Sequence, residues 1–488
     1  MFLSCHFDFL PLTFNFLKSM EVSPFRGIRY NQRIVGDLAR VLCPPYDVIT
    51  PEQQKLYYQK SDYNAIRLEL PAESQEPAVD RYQRAAITFQ QWLKHGILQL
   101  DRVSSFYLHD HHFEYSGEKR VRRGLIARIK LESWGSGIYP HEETFSKAKS
   151  DRLQLMRACR ANFSPLFSLY KDSEQKIAPI LSHVAQKRPL MSLRAPILSG
   201  RSNLPDSNEA HILWAITDPE IKRKVSQFLS SQPLYIADGH HRYETALAYQ
   251  QERAQEQSDS FDSSVIATLN GVKRKQSLTG EGAFNYVMME LVEFSDPGLL
   301  VLPIHRLVRS IAPSALAELE KQLENFFTLE FVSLSEDSLA HCHCEPSALF
   351  VIASEAKQSH RSQGIVLGVL GLHAGALVLL RRRQDISLEA MMPGNRSQAY
   401  REFGVSILNH IILDDVLSEA KDLDVAYIVD LKEAYQQIKE GEYQLAFLLN
   451  PPQPEMVKAV ADAQDRMPSK STYFYPKLPV GLVINPLD

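Results

Sequence analysis

Short apolar runs alternate with longer stretches of helical period along most of the chain. HILWAI (211–216) reads as a strand, and the following DPEIKRKVSQFL reads as a helix with Asp218 as its N-cap and Pro219 at the first helical position. The next pair is the strand PLYIA (233–237) and the helix HRYETALAYQQERA (241–254), in which Tyr243, Ala246, Leu247 and Gln250 share one face. Farther on, LLVLP (299–303) and AFLLN (446–450) read as strands and PEMVKAVADAQD (454–465) as a helix. The closing YFYPKLPVGLVINPL is limited by its prolines and glycine to short or edge strands. This alternation predicts a mixed α/β or α+β architecture, and of the two we expect an α+β fold, a mixed sheet with helices.

Length changes the picture by suggesting two or three domains, or one large core with additions: the chain has 488 residues. Residues 1–19 read as an upstream extension that adds little to the fold. They lack a basic start and a small-residue cleavage site, and Asp8 and Pro11 interrupt the apolar run. Residues 20–295 then form an N-terminal core and 296–488 a C-terminal α/β portion. Within the latter, 341–363 has no clean periodicity, and its SEAK recurs in VLSEAKDL (416–423), which marks it as a repeat-derived insert or a chance recurrence. His341, Cys342, His343 and Cys344 alternate too tightly to arrange tetrahedral zinc ligands, and no partner pair follows.

Charge and cysteine use exclude several classes. With 54 basic against 58 acidic residues and a net charge of −4, the chain lacks the basic footprint of a non-specific nucleic-acid binder. Five scattered cysteines form no disulfide framework and fit a reducing, cytoplasmic setting. No apolar run is long enough for a membrane span. The nearest, GIVLGVLGLHAGALVLL (364–380), contains four glycines and reads as buried strands with a turn.

Candidate chemistry begins at YIADGHHRYETALAYQ (235–250). A strand ends at Asp238-Gly239, and a helix opens on His240, His241 and Arg242. A helix N-terminus disfavours cations by about 0.3–1 kcal/mol each, so positive or potentially positive groups gathered there point to a bound anion. A phosphate would accept the first-turn amides and pair with Arg242. The plainer alternative makes Asp238 a cap, pairs Glu244 with Arg242, and leaves the histidines at the surface.

The same turn resembles the phosphate-binding turn of the ParB/sulfiredoxin-like superfamily. The chain as a whole resembles the domain of unknown function 1015 family through SPFRGIRY (23–30), CPPYDVI (43–49), PHEETFSKAKSDRLQLMRACRANFSPLFSLY (140–170), DPGLLVLPIHRLV (296–308) and MPSKSTYFYPKLPVGLVINPL (467–487). The superfamily resemblance implies a ParB/sulfiredoxin-like core. His240 stands where sulfiredoxins carry their reactive cysteine, which excludes that chemistry. The ParB branch binds CTP and DNA, but this chain shows neither a helix-turn-helix nor a basic surplus. The free-serine-kinase branch implies ATP or ADP (CTP being the other nucleotide), Mg2+, and a small hydroxylated metabolite as acceptor.

On that reading, Asp238, Gly239, His240, His241 and Arg242 hold phosphate. Glu142 is the candidate base and Lys149 a phosphate contact, and Arg152 adds positive charge; all three come from the polar stretch before and into a helix that Asp151 would cap. His305 and Arg306, delivered past Pro303 by an apolar strand, assist. Asp47 could bind magnesium or fix a turn. Lys470, Ser471, Thr472 and Lys477 lack the glycines of a Walker loop. In FYLHDHHFEY (106–115), His109 and His111 share a strand face with His112 opposite; nothing nearby supplies a third ligand, so the stretch reads as a polar face and no metal site is assigned. Two alternatives remain: a non-catalytic nucleotide-sensing module, and a metal-dependent hydrolase on His240 and His241, whose directions diverge by about 100° on one helix.

Overall fold

The computed structural model describes residues 20–73, 79–144, 146–194, 209–269, 282–334, 365–387, 391–418 and 423–488. The extension 1–19 and the suspected insert 341–363 lie outside these. Two sheets carry the fold. The first contains Val22–Ser23 (β1), Phe106–Tyr115 (β2), Glu118–Lys130 (β3), Ile138–Tyr139 (β4), Leu166–Tyr170 (β5), Met191–Arg194 (β6), Ala210–Ile216 (β7), Leu234–Asp238 (β8) and Tyr286–Glu293 (β9). Its order is β4-β8-β5-β9-β3-β2-β7-β6, with β1 added on β3. The β4–β8 and β5–β9 pairs are parallel and the others antiparallel, which makes the sheet mixed.

The second sheet contains His305–Arg309 (β10), Phe327–Ser333 (β11), Ile365–Leu370 (β12), Ala376–Arg382 (β13), Asp424–Ile428 (β14) and Leu445–Leu449 (β15), in the order β11-β13-β12-β15-β10-β14. All its described pairings are antiparallel. The apolar run 364–380 supplies β12 and β13, a hairpin as its glycines suggested. One core joins the sheets: Phe167, Leu169 and Val292 of the first pack in the same cluster as Val308, Val369 and Phe447 of the second.

Local signals explain the helices that matter for the site. Arg81–Lys94 (α1) carries buried Ala85, Phe89 and Trp92 on one stripe. Pro219–Leu229 starts where Asp218 accepts from the amides of Glu220 and Ile221, both at 2.9 Å. His240–Leu269 (α3) follows β8 directly. The helix Ser146–Cys159 (α2) departs from expectation: Asp151 lies inside it rather than capping it. Its carboxylate instead accepts from Arg81 Nη2 at 2.6 Å, Tyr82 Oη at 2.8 Å, and Arg152, binding α1 to α2. The predicted buried face, Leu155, Met156 and Cys159, is buried.

The C-terminal stretch crosses back over the molecule. Tyr473–Tyr475 pairs with Leu300–Leu302, Asn485–Pro486 pairs with Ala161–Asn162, and Val480 and Ile484 bridge to Cys43 and Ile28. It is this return that delivers late residues to a site begun by early ones. No helix among the described residues is long and apolar enough to cross a membrane.

Candidate functional site

The turn after β8 opens onto a cleft of about 290 Å³. Gly239 makes that turn at φ +97°, a conformation that favours glycine, and a Cβ there would press on the Arg242 guanidinium at 3.0 Å. Its carbonyl accepts from Tyr243 N at 3.0 Å, which makes Gly239 the cap of α3 and turns the first helical amides toward the cleft. Five other segments complete the wall, contributing Tyr46 and Asp47, Glu142, Ile304, Tyr427, and the stretch from Lys470 to Lys477.

Asp238 is the electrostatic centre. Its Oδ1 accepts from Lys477 Nζ at 2.9 Å, and its Oδ2 lies 3.2 Å from Arg242 Nη2. Burial would raise this carboxyl, but the charges of Lys477 and Arg242 outweigh it and lower it to about 2. Lys477 is itself buried, packs its ammonium 4.7 Å from the Tyr473 ring centroid, and is pushed up against the effect of burial by Asp238 and Asp47. Arg242 Nη1 donates to Ser164 Oγ at 3.0 Å and Pro165 O at 2.8 Å. The guanidinium is therefore oriented before any ligand arrives.

The histidines behave differently from the expectation of a cationic cluster. His240 is buried, and its Nε2 accepts from the His141 amide at 3.2 Å, so the ring is tied into the fold. Burial, reinforced by His141, pushes it well below the ordinary histidine value. His141 donates from Nδ1 to Ile236 O at 2.7 Å and sits 3.0 Å from Thr472 Oγ1 through Nε2; burial lowers it to about 4. His241, half-buried, is also lowered, by burial first. The positive charge of the cleft comes from Arg242, Lys477 and Lys470.

Glu142 lines the cleft, half-buried, and its Oε1 accepts from the Lys470 amide at 2.7 Å. Burial raises its carboxyl, with the Lys470 amide pulling the other way. Lys470 adopts φ +59°, a left-handed conformation costing about 1 kcal/mol outside glycine. Two bonds hold it there, the one to Glu142 and one from Arg306 Nη2 to its carbonyl at 2.9 Å. Its side chain is exposed at the cleft.

The remaining predicted residues stand apart. Lys149 Nζ pairs with Glu244 Oε2 at 2.8 Å, and Thr144 Oγ1 donates to the same oxygen at 2.7 Å, so Glu244 serves Lys149 rather than Arg242. Arg152 is buried against Asp151, Glu69 O (2.6 Å) and the Tyr46 ring, behind the cleft. His305 is buried in the second sheet, where its Nδ1 accepts from Leu449 N at 3.1 Å; burial, with Arg306 adding to it, lowers it to about 3. Although it is the first residue of β10, its burial and its bond to the neighbouring strand keep it off the cleft wall. Arg306 stacks 4.6 Å from the Tyr427 ring centroid and reaches the cleft only through the Lys470 carbonyl.

Lys477, Lys470 and Tyr427 were not singled out from the sequence as site residues. A lone lysine inside the apolar run YFYPKLPVGL is the signal that could have found the first.

Comparison with known proteins adds a family. None of the curated proteins matches the chain. Among solved structures, a conserved hypothetical protein from Pyrococcus furiosus is similar at 11% identity and a TM-score of 0.30, covering 73% of this chain and 93% of that one. A free serine kinase in complex with AMP is similar at 12% identity and a TM-score of 0.30, covering 73% and 91%. A mutant free serine kinase in complex with ADP is similar at 12% identity and a TM-score of 0.31, covering 74% and 92%. Similarity at these scores leaves the functional reading to the cleft itself. Residues 22–389, well over half of the chain, match the family described as Protein of unknown function (DUF1015), and the chain belongs to that family.

Proposed function

We propose that the cleft binds a nucleotide and transfers a phosphoryl group from it to the hydroxyl of a small metabolite. The observation that carries this reading is the Asp238 centre: a carboxylate fixes Lys477 and Arg242 beside a glycine turn at a helix N-terminus, with the exposed Lys470 on the same wall. Phosphoryl transfer is catalysed largely by positioning and by positive charge around phosphate oxygens, and three cations with a set of first-turn amides suit that task. In this reading Arg242, Lys470 and the amides after Gly239 bind phosphate, and Lys477 keeps Asp238 ionised and the turn in place. Glu142 accepts the acceptor hydroxyl's proton as its oxygen attacks the terminal phosphorus, and the nucleotide leaves one phosphate shorter, a diphosphate from ATP or a monophosphate from ADP. A carboxyl raised by burial is the better base near neutral pH. Magnesium favours hard oxygen ligands, which the Asp47 carboxylate and the nucleotide's own phosphates provide. ATP and ADP are the donors proposed, and CTP is the competing nucleotide.

One observation favours a second reading, a nucleotide-sensing module without catalysis: the Glu142 carboxylate already clasps the Lys470 loop. The two readings separate on Lys470→Ala and Glu142→Gln. Wild type should be stabilised by about 2.7 kcal/mol by magnesium ATP, ADP or CTP at 100 times its dissociation constant. Lys470→Ala should lose most of that at the same ligand concentration. A kinase carrying Glu142→Gln should still bind and stop consuming nucleotide in the presence of hydroxylated metabolites, whereas a sensor would show no turnover to lose. The absence of any nucleotide-dependent shift in wild type would defeat both.

A further inference from the structure

A second polar constellation lies in the first sheet, outside the cleft wall. In the β2–β7 register His111 stands directly opposite His211, and His109 opposite Leu213. Glu209, just before β7, reaches His111 Nε2 at 3.0 Å. From β9, Glu290 extends over Gly124 of β3, where a Cβ would collide with the carboxylate. It thereby meets His109 Nδ1 with both oxygens at 3.1 Å. His109 Nε2 in turn lies 3.1 Å from His211 Nδ1. All these side chains are buried.

We propose that His111, Glu209 and His211 form a buried site for a divalent transition-metal ion of the zinc class. One ligand atom from each already lies within 4.8 Å of the others. Zinc bonds of about 2.0–2.1 Å require donors roughly 3.4 Å apart, so closing the site takes side-chain adjustments on the order of an ångström. One observation points directly to a cation. His211 Nε2 is buried and has no hydrogen-bond partner, and an imidazole nitrogen left unpaired in a dry interior is costly unless something accepts its lone pair.

The surroundings are those of an oriented ligand set. His211 presents Nε2 inward because its Nδ1 is engaged by His109, and His109 is held by Glu290. This carboxylate-to-imidazole chain fixes ring orientation in metal sites. Burial keeps His111 and His211 unprotonated, the form that binds metal. Arg122 Nη2 lies 3.3 Å from His111 Nδ1. When His111 ligates through Nε2, its proton moves to Nδ1, and that guanidinium arm must turn away. Its other arm keeps the Tyr475 carbonyl at 3.2 Å, and its Nε already lacks a partner. The ion would clasp β2 to the start of β7, a structural role in a site distinct from the nucleotide reading.

The test is metal content and cobalt spectroscopy on the full chain. Wild type is analysed as purified, and again after refolding from denaturant with zinc or with cobalt, since a closed site can fill during folding. One equivalent per chain, with the ligand-field absorption of a low-coordinate cobalt site, is expected. His211→Gln and Glu209→Gln should each abolish stoichiometric uptake. His109→Gln should weaken it about 10–100-fold, and His112→Gln, on the opposite strand face, should leave it unchanged. Wild type that regains native circular dichroism without metal in both preparations overturns the proposal. So does uptake that persists in His211→Gln. The wild-type arms decide the matter even if a variant fails to fold.

Discussion

The cleft at Asp238 and the histidine cluster at His211 are built on strands of one sheet, yet they keep polar groups in the interior by opposite means. In the cleft, permanent charges are paired: Asp238 lies between Lys477 and Arg242 and stays ionised down to a pH of about 2. In the cluster, the imidazoles of His111 and His211 are held neutral by burial and hydrogen-bonded to Glu209 and His109 respectively. His141, His240 and His305 follow the cluster's rule although His240 lines the cleft. The Asp238 carboxylate is thus retained because counter-charges meet it, and these imidazoles because they can do without a proton. The first arrangement suits anion binding, and the second suits a neutral ligand atom.

The largest expected effect breaks the charged side of this contrast. Asp238→Asn keeps the shape and one acceptor but leaves Lys477 and Arg242 without their counter-charge. Removing one partner of a buried pair costs about 3–5 kcal/mol, and urea unfolding of the variant should show a loss of that size. A loss under about 1 kcal/mol would mean that solvent already screens the pair.

Legibility in the sequence divides along a related line. The Pro219–Leu229 helix, its Asp218 cap and the Gly239 turn were readable because each depends on neighbours within a few residues. Asp151 was misread because a good N-cap residue can also serve an ion pair across two helices, a choice made by tertiary packing. Lys477 meets Asp238 across 239 positions, and His211 meets His109 across 102. No local period encodes such pairings, so Lys477 was named without being tied to Asp238, and the cluster's further ligands went unseen. The two histidines on one face of β2 were visible. Their partners depended on which strand would lie alongside.

A smaller effect tests the neutral side. His305 is suited to it because its one described side-chain contact is the acceptance of the Leu449 amide. Its folded value of about 3 lies below the unfolded value near 6.5, so between those limits the unfolded chain binds the extra proton. Stability contributed by the neutral ring is full above pH 6.5 and declines as pH falls toward 3. His305→Asn retains an acceptor without titrating. Over pH 6 to 5 its unfolding free energy should fall less steeply than that of wild type, by up to about 1.4 kcal/mol per pH unit. Asp238, ionised until about 2, contributes no slope there. Parallel pH profiles for the two proteins would show that His305 is protonated in the fold and that the rule fails at this ring.

The smallest effect concerns Lys149, which lies near the cleft but belongs to neither arrangement. Its ammonium pairs with Glu244 at 2.8 Å on side chains that are 37% and 24% exposed. Exposed pairs of this kind contribute about 0–1 kcal/mol, so Lys149→Ala should move the unfolding midpoint little. The same variant sharpens the assignment of the phosphate-binding cations. If these are Arg242 and Lys470, nucleotide affinity in Lys149→Ala should stay within about twofold of wild type, since a screened charge outside the wall shifts binding by only tenths of a kcal/mol. A tenfold loss, about 1.4 kcal/mol, would mean that Lys149 leaves Glu244 to reach the ligand. The cleft would then recruit a cation on binding, and its contrast with the preformed Asp238 centre would have to be redrawn.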